Sequence, residues 1–453
     1  MSSSPASASA WNSPGTASPI FDSGPGTPAT EIDDILDHIG RSQRDTDIEE
    51  EYILVTGGLG FIGSHTSLEL LKAGYNIIIV DNLSNSYEDV FNRILLAAKL
   101  HFSQSDTKCP KAELCCADYR DMAAMSRLLA KHSTPPPPPP TPADTSPSPS
   151  SPLKSNITGV IHFAAYKQVP ESIHQPLKYY RNNIHGLIDL LALLDTQNIK
   201  TFIFSSSAAV YGTLSESTST TSPLREEACV HEPESYFDTT SAATITSTQG
   251  CTGITNPYGR TKFFAEAILS DLCKSDPEWR VMALRYFNPI GCDSSGLLGE
   301  DPRSAASNLF PAALRVLTGQ RRELLVYGAD WETSDGSAVR DFIHVTDLAR
   351  GHTAALSAAQ GKLGLGGEGF RTYNLGTGTG HSVLEVVRAL EEVWEREIPV
   401  RVVGRREGDV GVCVARSERA RVELGWQTEL GLRDACIDTW GYLGGREGGV
   451  NLD

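Results

Sequence analysis

Residues 52–63 read YILVTGGLGFIG. Tyr52 to Val55 is an apolar run of strand length, and it leads into Gly57, Gly60 and Gly63. An amphipathic stretch carrying Leu68, Leu70 and Leu71 follows. Strand, glycine turn and helix in that order form an anion pocket. The glycines allow a tight turn and a close backbone approach to a pyrophosphate, whose charge sits on the free N–H groups at the helix start. The spacing is GxxGxxG rather than GxGxxG, and the physics is the same. A second apolar run, Asn76 to Val80, ends in Asp81. It stands roughly 20–25 residues after the first glycine, where an acid accepts hydrogen bonds from an adenosine ribose. Its carboxylate repels a 2′-phosphate, so NAD is favoured over NADP.

A second constellation lies downstream. Residues 205–212 read SSSAAVYG and close a hydrophobic strand, and residues 256–262 read NPYGRTK. On a helix, Tyr258 and Lys262 lie four residues apart on one face. An ammonium beside a phenol favours phenolate and lowers its pKa from about 10 toward neutrality. Such a base suits proton removal from an alcohol while a hydride leaves the same carbon. YxxxK alone is a common spacing. It gains meaning here from sharing a chain with the glycine turn and a serine-ended strand.

Strand candidates at 52–56, 76–81, 157–164, 201–206 and 281–287 alternate with helix candidates around 63–74, 176–195, 258–274 and 385–397. That alternation predicts an α/β fold, a Rossmann-like doubly wound parallel sheet covered on both faces. A smaller C-terminal lobe completes it. Residues 1–50 are a Ser/Pro-rich, then acidic, tail of disorder-prone composition. Within it, TEIDDILDHIG aligns Ile32, Ile35, Leu36 and Ile39 on one helical face, with Thr30 as cap and Gly40 as stop. Residues 51–288 form the dinucleotide-binding domain, and 289–453 mainly the substrate-binding lobe. The first of these carries a Pro-rich insertion at 133–155 and a Ser/Thr-rich insertion at 215–255, both expected as lengthened surface loops.

At 453 residues, 40% hydrophobic and 21% charged, the chain suits a globular enzyme with two core-bearing lobes. No apolar run has the length to cross a bilayer, and the first residues lack the basic start and apolar core of a signal peptide. Nine cysteines without CxxC spacing point to reduced thiols in the cytoplasm. The histidines form no HxxxH or Cys/His cluster, so no metal is expected. A net charge of -17 argues against nucleic acid as partner.

The chain resembles the UDP-glucose 4-epimerase family of the extended short-chain dehydrogenase/reductases. The matching runs are VTGGLGFIGSHT, VDNLSNS, VIHFAAYKQVPES, YYRNNIHG, FIFSSSAAVYG, NPYGRTK, LRYFNPIG, VRDFIHVTDLA, YNLGTGTG and RREGD, in family order from about residue 52 to about residue 440. The glycine run and YxxxK belong to the whole superfamily. RYFNPIG, VRDFIHV and RREGD are narrower and mark nucleotide-sugar chemistry.

The resemblance implies roles. Phe61 and Ile62 lie at the pyrophosphate turn beside Gly57, Gly60 and Gly63. Asp81, Asn82, Leu83, Ser84, Asn85 and Ser86 surround the adenosine ribose, and Asp118 and Tyr119 bracket the adenine. Phe163, Ala164, Ala165, Tyr166, Lys167, Asn183 and Phe287 wall the cofactor, with Ala165 where the family has Gly. Ser207, Tyr258 and Lys262 are catalytic and also contact cofactor or sugar. Ser205 and Ser206 remain alternatives for the reactive hydroxyl. Asn288, Asn308, Leu309, Leu325, Val326 and Tyr327 contact the diphosphate and uridine. Arg340 and Arg406 neutralise the diphosphate, and Glu407, Gly408 and Asp409 complete the RREGD contact.

Cys413 stands where relatives carry either Tyr or a small residue. A small side chain implies room for an N-acetyl group at sugar carbon 2, and hence UDP-N-acetylglucosamine and UDP-N-acetylgalactosamine as further substrates. The implied reaction interconverts UDP-glucose and UDP-galactose by transient oxidation at carbon 4 with tightly bound NAD. Relatives are commonly homodimers through the helices flanking YxxxK. Two other readings stand beside this one. The first is a sibling enzyme for UDP-pentose or UDP-glucuronate, or a 4,6-dehydratase. The dehydratase lacks its acidic pair, since Ala208 and Ala209 follow Ser207. The second is a non-catalytic NAD(H)-binding regulator, against which both Tyr258 and Lys262 count. Arg416 stands where relatives show an acid, and nothing in the sequence explains it.

Overall fold

The protein is described from a computed structural model covering residues 50–103, 107–134, 154–217, 223–238, 242–248, 250, 253–301, 308–362 and 369–447. The tail helix expected at 30–40 and most of the Pro-rich insertion lie outside the described residues. In chain order the large lobe begins β1 (Tyr52–Thr56), α1 (Phe61–Lys72), β2 (Asn76–Asp81), α2 (Asp89–Phe102), β3 (Ala112–Cys116) and α3 (Met122–Lys131). It continues β4 (Ile157–His162), α4 (Gly186–Thr196), β5 (Thr201–Ser205), α5 (Pro257–Ser275) and β6 (Arg280–Tyr286). The smaller lobe draws on β7 (Asn288–Ile290), α6 (Leu309–Leu317), β8 (Leu324–Tyr327) and β9 (Val339–His344). The chain then runs through α7 (Val345–Ala359), β10 (Phe370–Leu375), β11 (Gly380–Ser382), α8 (Val383–Trp394), β12 (Val400–Val403), β13 (Val412–Cys413), α9 (Glu418–Glu423) and α10 (Leu432–Glu447).

Seven parallel strands form the main sheet in the order β10-β6-β5-β4-β1-β2-β3. The order reverses between β1 and β4. At that switch the loops leaving the two strands part and open a crevice at the strands' carboxyl ends. Alternation along the strands supplies both faces. Ile53, Val55, Ile77, Ile79, Ile203 and Leu284 point to one side and pack under α1, α2 and α7. Leu54, Ile78, Val80, Val160, Phe202 and Ala283 point to the other, under α3, α4 and α5. Each fully buried Leu or Ile here is worth about 1.5–3 kcal/mol of transfer free energy, which holds the register of every strand.

The seventh strand, β10, and the helix α7 come from chain beyond residue 288. The large lobe therefore uses more sequence than the 51–288 segment, because β6 would otherwise leave an unpaired edge. The smaller lobe has its own core, with Phe310, Leu314, Phe342, Leu390 and Trp394 packed together. Its strands are β7-β9-β11 with β13 on β9, plus a parallel pair β8–β12. The Pro-rich insertion leaves and rejoins the body through a two-residue ladder, Ser133–Thr134 against Lys154–Ser155. The Ser/Thr-rich insertion contains an antiparallel hairpin, Glu234–Asp238 against Ala243–Ser247. Among the described residues, no helix is long and apolar enough to cross a membrane.

Candidate active site

The glycine turn occupies the crevice. Gly57 has φ +72, and a Cβ on it would sit 2.8 Å from the Ala164 backbone nitrogen. A Cβ on Gly63 would run into the Gly57 carbonyl oxygen, so α1 packs on the turn only without one. Gly60 caps α1 with no side-chain hydrogen bond, and the first turn carries no acid. The free N–H groups of that first turn are therefore left for an anion.

Asp81 is 7% exposed and organises the loop around it. Its Oδ2 accepts from the Leu59 N–H at 3.0 Å, and its Oδ1 from the Leu83 N–H at 2.9 Å and the Ser86 hydroxyl at 2.7 Å. Lone-pair capacity remains on Oδ2 for a further donor such as a ribose hydroxyl. Leu83 is held at φ 56 by this arrangement. Asp118 is gripped by Arg120 at 2.8 and 2.6 Å and by the Asn82 amide at 3.0 Å. Those contacts, the Arg120 hydrogen bond foremost, hold its carboxyl well below the usual range. Tyr119 lines the crevice and donates its hydroxyl to the Asn182 carbonyl.

The same crevice is lined by Phe61, Ile62, Ser84, Asn85, Ala164, Ala165, Tyr166, Lys167, Tyr258 and Lys262. Phe163 lines it too, and behind it the His352 ring lies 4.8 Å away, tilted by 44°. Asn183 stands just behind the lining. Its side chain bonds both the N–H and the carbonyl of Tyr166 at 3.0 Å and reaches Thr261 on α5 at 3.0 Å. It therefore ties the wall loop to the helix that carries Tyr258. It lies in a π-helical turn, Arg181–His185, the kind of local widening that redirects side chains at functional sites.

α5 begins where the sequence dictates. The Asn256 side chain accepts from the Gly259 N–H at 2.9 Å, and Pro257 takes the first helical position. Tyr258 is thereby fixed in the first turn, facing the crevice, 7% exposed. The three serines divide their work. Ser205 pairs its hydroxyl with Tyr286 at 2.9 Å, and its carbonyl accepts from Lys262 Nζ at 2.6 Å. Ser206 donates to buried Glu266 at 2.5 Å. Ser207 stands beside the Tyr258 phenol and favours its ionised form, and its Oγ accepts from the Ala209 N–H at 3.2 Å. With the Ser205 and Ser206 hydroxyls engaged elsewhere, Ser207 is the hydroxyl left next to the phenol.

Electrostatics here depart from the sequence expectation. Burial, with Tyr286 adding to it, pushes the Tyr258 phenol above its ordinary value, and Ser207 only partly opposes this. Burial pushes Lys262 down to about 7, against the pull of Glu266. Lys262 Nζ lies 5.9 Å from the Tyr258 ring centroid and 4.8 Å from that of Phe204. An ammonium whose charge burial disfavours, and which is engaged by a carbonyl, does not offset the phenol's desolvation.

Tyr286 was not among the residues singled out from sequence, yet it lines the crevice. Phe287, expected on that wall, packs instead with Ala208, Val210, Tyr211 and Cys413. Strand alternation past β6 sends the two aromatics to opposite sides. Gln168, Glu171, Lys178, Tyr179, Asn182 and Ser205 also line the crevice. Among them only Ser205 had been weighed, because scattered polar residues on short helices carry no spacing signal.

The residues expected for the nucleotide are spread over the elements of the smaller lobe, and none of them lines the crevice. Arg406 stacks 4.0 Å over the Tyr327 ring, and Arg340 Nη2 lies 4.0 Å from Asp409. The Gly408 carbonyl accepts from the Thr255 hydroxyl at 3.0 Å, which brings the RREGD loop to the chain just before Tyr258. Asn308 donates to Glu300 at 2.8 Å, and Lys167 reaches the same carboxylate at 3.6 Å, which links the two sides. Asn288 is exposed, Leu309 and Leu325 are half-buried, and Val326 is 2% exposed within the core. Glu407 is exposed and Gly408 has φ +83. Cys413 is 8% exposed, on a strand whose partner residue is Arg340. Among the described residues, no group of three or more His, Cys, Asp or Glu is placed to hold a metal.

The NAD dependent epimerase/dehydratase family matches residues 53–135 and 151–376. The chain is 42% identical over 392 residues to UDP-glucose 4-epimerase of Mus musculus, covering 86% of this chain and 96% of that protein. It is similar to the crystal structure of UDP-glucose 4-epimerase from Bifidobacterium longum in complex with NAD+ and UDP. That match has a TM-score of 0.69 at 38% identity and covers 87% of this chain and 99% of that one. It is also similar to the Stenotrophomonas maltophila enzyme with bound NAD and formylated UDP-arabinopyranose. The TM-score is 0.70 at 35% identity, over 88% and 99% of the two chains. The chain belongs to the NAD dependent epimerase/dehydratase family.

Proposed function

We propose that this protein interconverts UDP-glucose and UDP-galactose by transient oxidation at carbon 4 of the sugar. The observation that carries the reading is that Tyr258 and Lys262, one turn apart on α5, line the same crevice as the glycine turn, with Ser207 next to the phenol. The crevice fits NAD: an uncapped helix start, a glycine cradle that a Cβ would fill, and an aspartate with a free acceptor site. NAD held by the glycine turn and Asp81 would supply a hydride acceptor and donor for carbon 4.

The chain's residues handle the proton and the grip. Tyr258 takes the proton of the carbon-4 hydroxyl and returns it once the sugar has presented its other face. Ser207 orients the phenol and the sugar hydroxyl together. The phenol would ionise only as far as positive charge favours it; Lys262 offers part of that charge, and a bound nicotinamide would add to it. Arg340 and Arg406 hold the diphosphate, and Asp409 the uridine ribose, so nucleotide is gripped and sugar is free to turn. The large lobe carries the cofactor and the smaller lobe the UDP moiety.

Purified protein incubated with UDP-galactose and no added NAD should form UDP-glucose. The Tyr258→Phe variant should keep its dinucleotide and lose about 10²–10⁴-fold of turnover. Near-normal turnover in that variant would remove Tyr258 from the reaction. We also infer a homodimer. Leu177, Ile188 and Phe264 are 70%, 45% and 43% exposed, on the short helix Pro176–Tyr180, α4 and α5, large apolar side chains that a second copy would cover. Light scattering should give twice the chain mass, and a monomer at micromolar concentration would refute it.

A further inference from the structure

β8 and β12 run parallel, with Tyr327 opposite Val403, so the loops leaving them travel side by side. Two consecutive arginines of the second loop stack on two aromatics of the first. Arg405 lies 3.8 Å over the Trp331 ring, and Arg406 lies 4.0 Å over Tyr327. Arg405 also donates to the Asp330 carboxylate at 2.8 Å and to the Asp330 carbonyl at 2.7 Å.

The Trp331 ring is seated as well as stacked. Gly411 passes close to it: a Cβ there would lie 3.0 Å from Trp331 Cε3. A Cβ on Gly328 would lie 2.5 Å from Trp331 Nε1. The loop behind the ring is braced by the Trp331 N–H on the Gly336 carbonyl at 3.0 Å and the Thr333 hydroxyl on the Ser337 carbonyl at 2.7 Å. Asp335 in turn takes the Ser382 hydroxyl at 2.5 Å, where α8 begins. On the far side, the Gly411 carbonyl accepts from Arg340 at 3.3 Å.

We propose that Trp331 is a positioning residue for the nucleotide grip. It fixes both ends of the 405–411 loop, Arg405 by stacking and Gly411 by contact, so that Arg406 and Asp409 are in place before the diphosphate arrives. The proposal rests on the reading of Arg406 as a diphosphate ligand. The loop contains Gly408 and is bounded by Gly404 and Gly411, a composition with large freedom to lose. Ordering it in advance removes that cost from binding. Trp331 touches neither sugar nor cofactor in this scheme and acts only through the loop.

Calorimetry with UDP on the holoenzyme tests it, together with steady-state kinetics. Trp331→Ala should weaken UDP binding and raise KM by about tenfold, with kcat within about threefold and bound NAD unchanged. Trp331→Phe should recover UDP affinity to within about threefold, since a phenyl ring still accepts the guanidinium. Arg405→Leu, a change on the exposed side of the stack, should repeat the Ala result and serves if Trp331→Ala does not fold. UDP affinity within about twofold of wild type in both disrupting variants would overturn the proposal. So would a Trp331→Phe protein as weak as Trp331→Ala. Arg406→Ala separates the two layers. Unchanged UDP affinity there sinks the diphosphate reading itself, whereas a large loss there with none in the Trp331 and Arg405 variants sinks only the clamp.

Discussion

Tyr258 owes its place to its two predecessors, a capping Asn and a proline that starts the helix. The helix carrying Tyr258 and Lys262 on one face was legible from their spacing, as was the glycine turn; the cap that fixes where the helix begins came only with the structure. The division of labour among Ser205, Ser206 and Ser207 was not legible. It is decided by partners distant in sequence, Tyr286, Glu266 and Tyr258. The direction of the Tyr258 shift was also out of reach, since burial is a property of the fold. Cys413 belongs to this scale. It packs with Ala208 and Phe287 and pairs across the ladder with Arg340. A phenol ring there would be far larger than the thiol it replaces. Cys413→Tyr should abolish turnover of UDP-N-acetylgalactosamine while UDP-galactose turnover stays within about threefold, because the hexose lacks the added acetyl bulk. Equal activity of wild type and variant on both substrates would show that Cys413 does not set the range.

At the scale of elements, strands rich in Ile, Val and Phe announced themselves, and β1, β2 and β5 lie where periodicity put them. β3 reads AELCC, short and interrupted by a glutamate, and β10 reads FRTYNL, polar in half its positions, so neither stood out. The Ser/Thr-rich insertion shows the other failure. Its composition suggests a loose surface loop, yet Glu234 in it accepts from Arg419 at 2.5 Å and from Arg371 at 2.7 Å. Arg419, only 9% exposed, also bonds Glu227 at 2.9 Å. Glu234 thus shares two guanidinium groups brought in by α9 and β10, far away in sequence, with Glu227 on Arg419 and Glu423 on Arg371. Removing its charge leaves them partly uncompensated. Glu234→Gln should cost about 1–2 kcal/mol and lower the thermal midpoint by about 2–5 °C. Glu232→Gln two residues earlier should shift it little, since the Glu232–Lys274 pair is about half exposed. A midpoint unchanged in Glu234→Gln would mean that the insertion is not anchored there.

For the whole molecule, the doubly wound sheet followed from strand–helix alternation, while the return of β10 to the large lobe did not, because chain order carries no information on which edge a late strand completes. The assembled core also creates a pH response. His65, His162 and His352 are fully buried, and burial holds them at about 4, about 3 and about 4. His65 and His352 each hydrogen-bond the carbonyl one turn back, at 2.7 and 2.9 Å, and His162 bonds Thr56 at 2.7 Å. Asp293 near His65 pulls upward without offsetting burial, and Lys262 pushes His162 further down. All three folded values lie below the unfolded value of about 6.5. Below that pH the unfolded chain takes up protons that the folded chain refuses. Stability is therefore fully present above about pH 6.5 and is lost as pH falls toward the folded values. Each histidine costs about 2 kcal/mol by pH 5, so unfolding free energy should drop by roughly 6 kcal/mol from pH 7 to pH 5. Urea unfolding across that range measures it, and the slope near pH 5 should correspond to about three protons. His352→Gln should remove about one of them, and a flat profile between pH 7 and pH 5 would show that these rings titrate alike in both states.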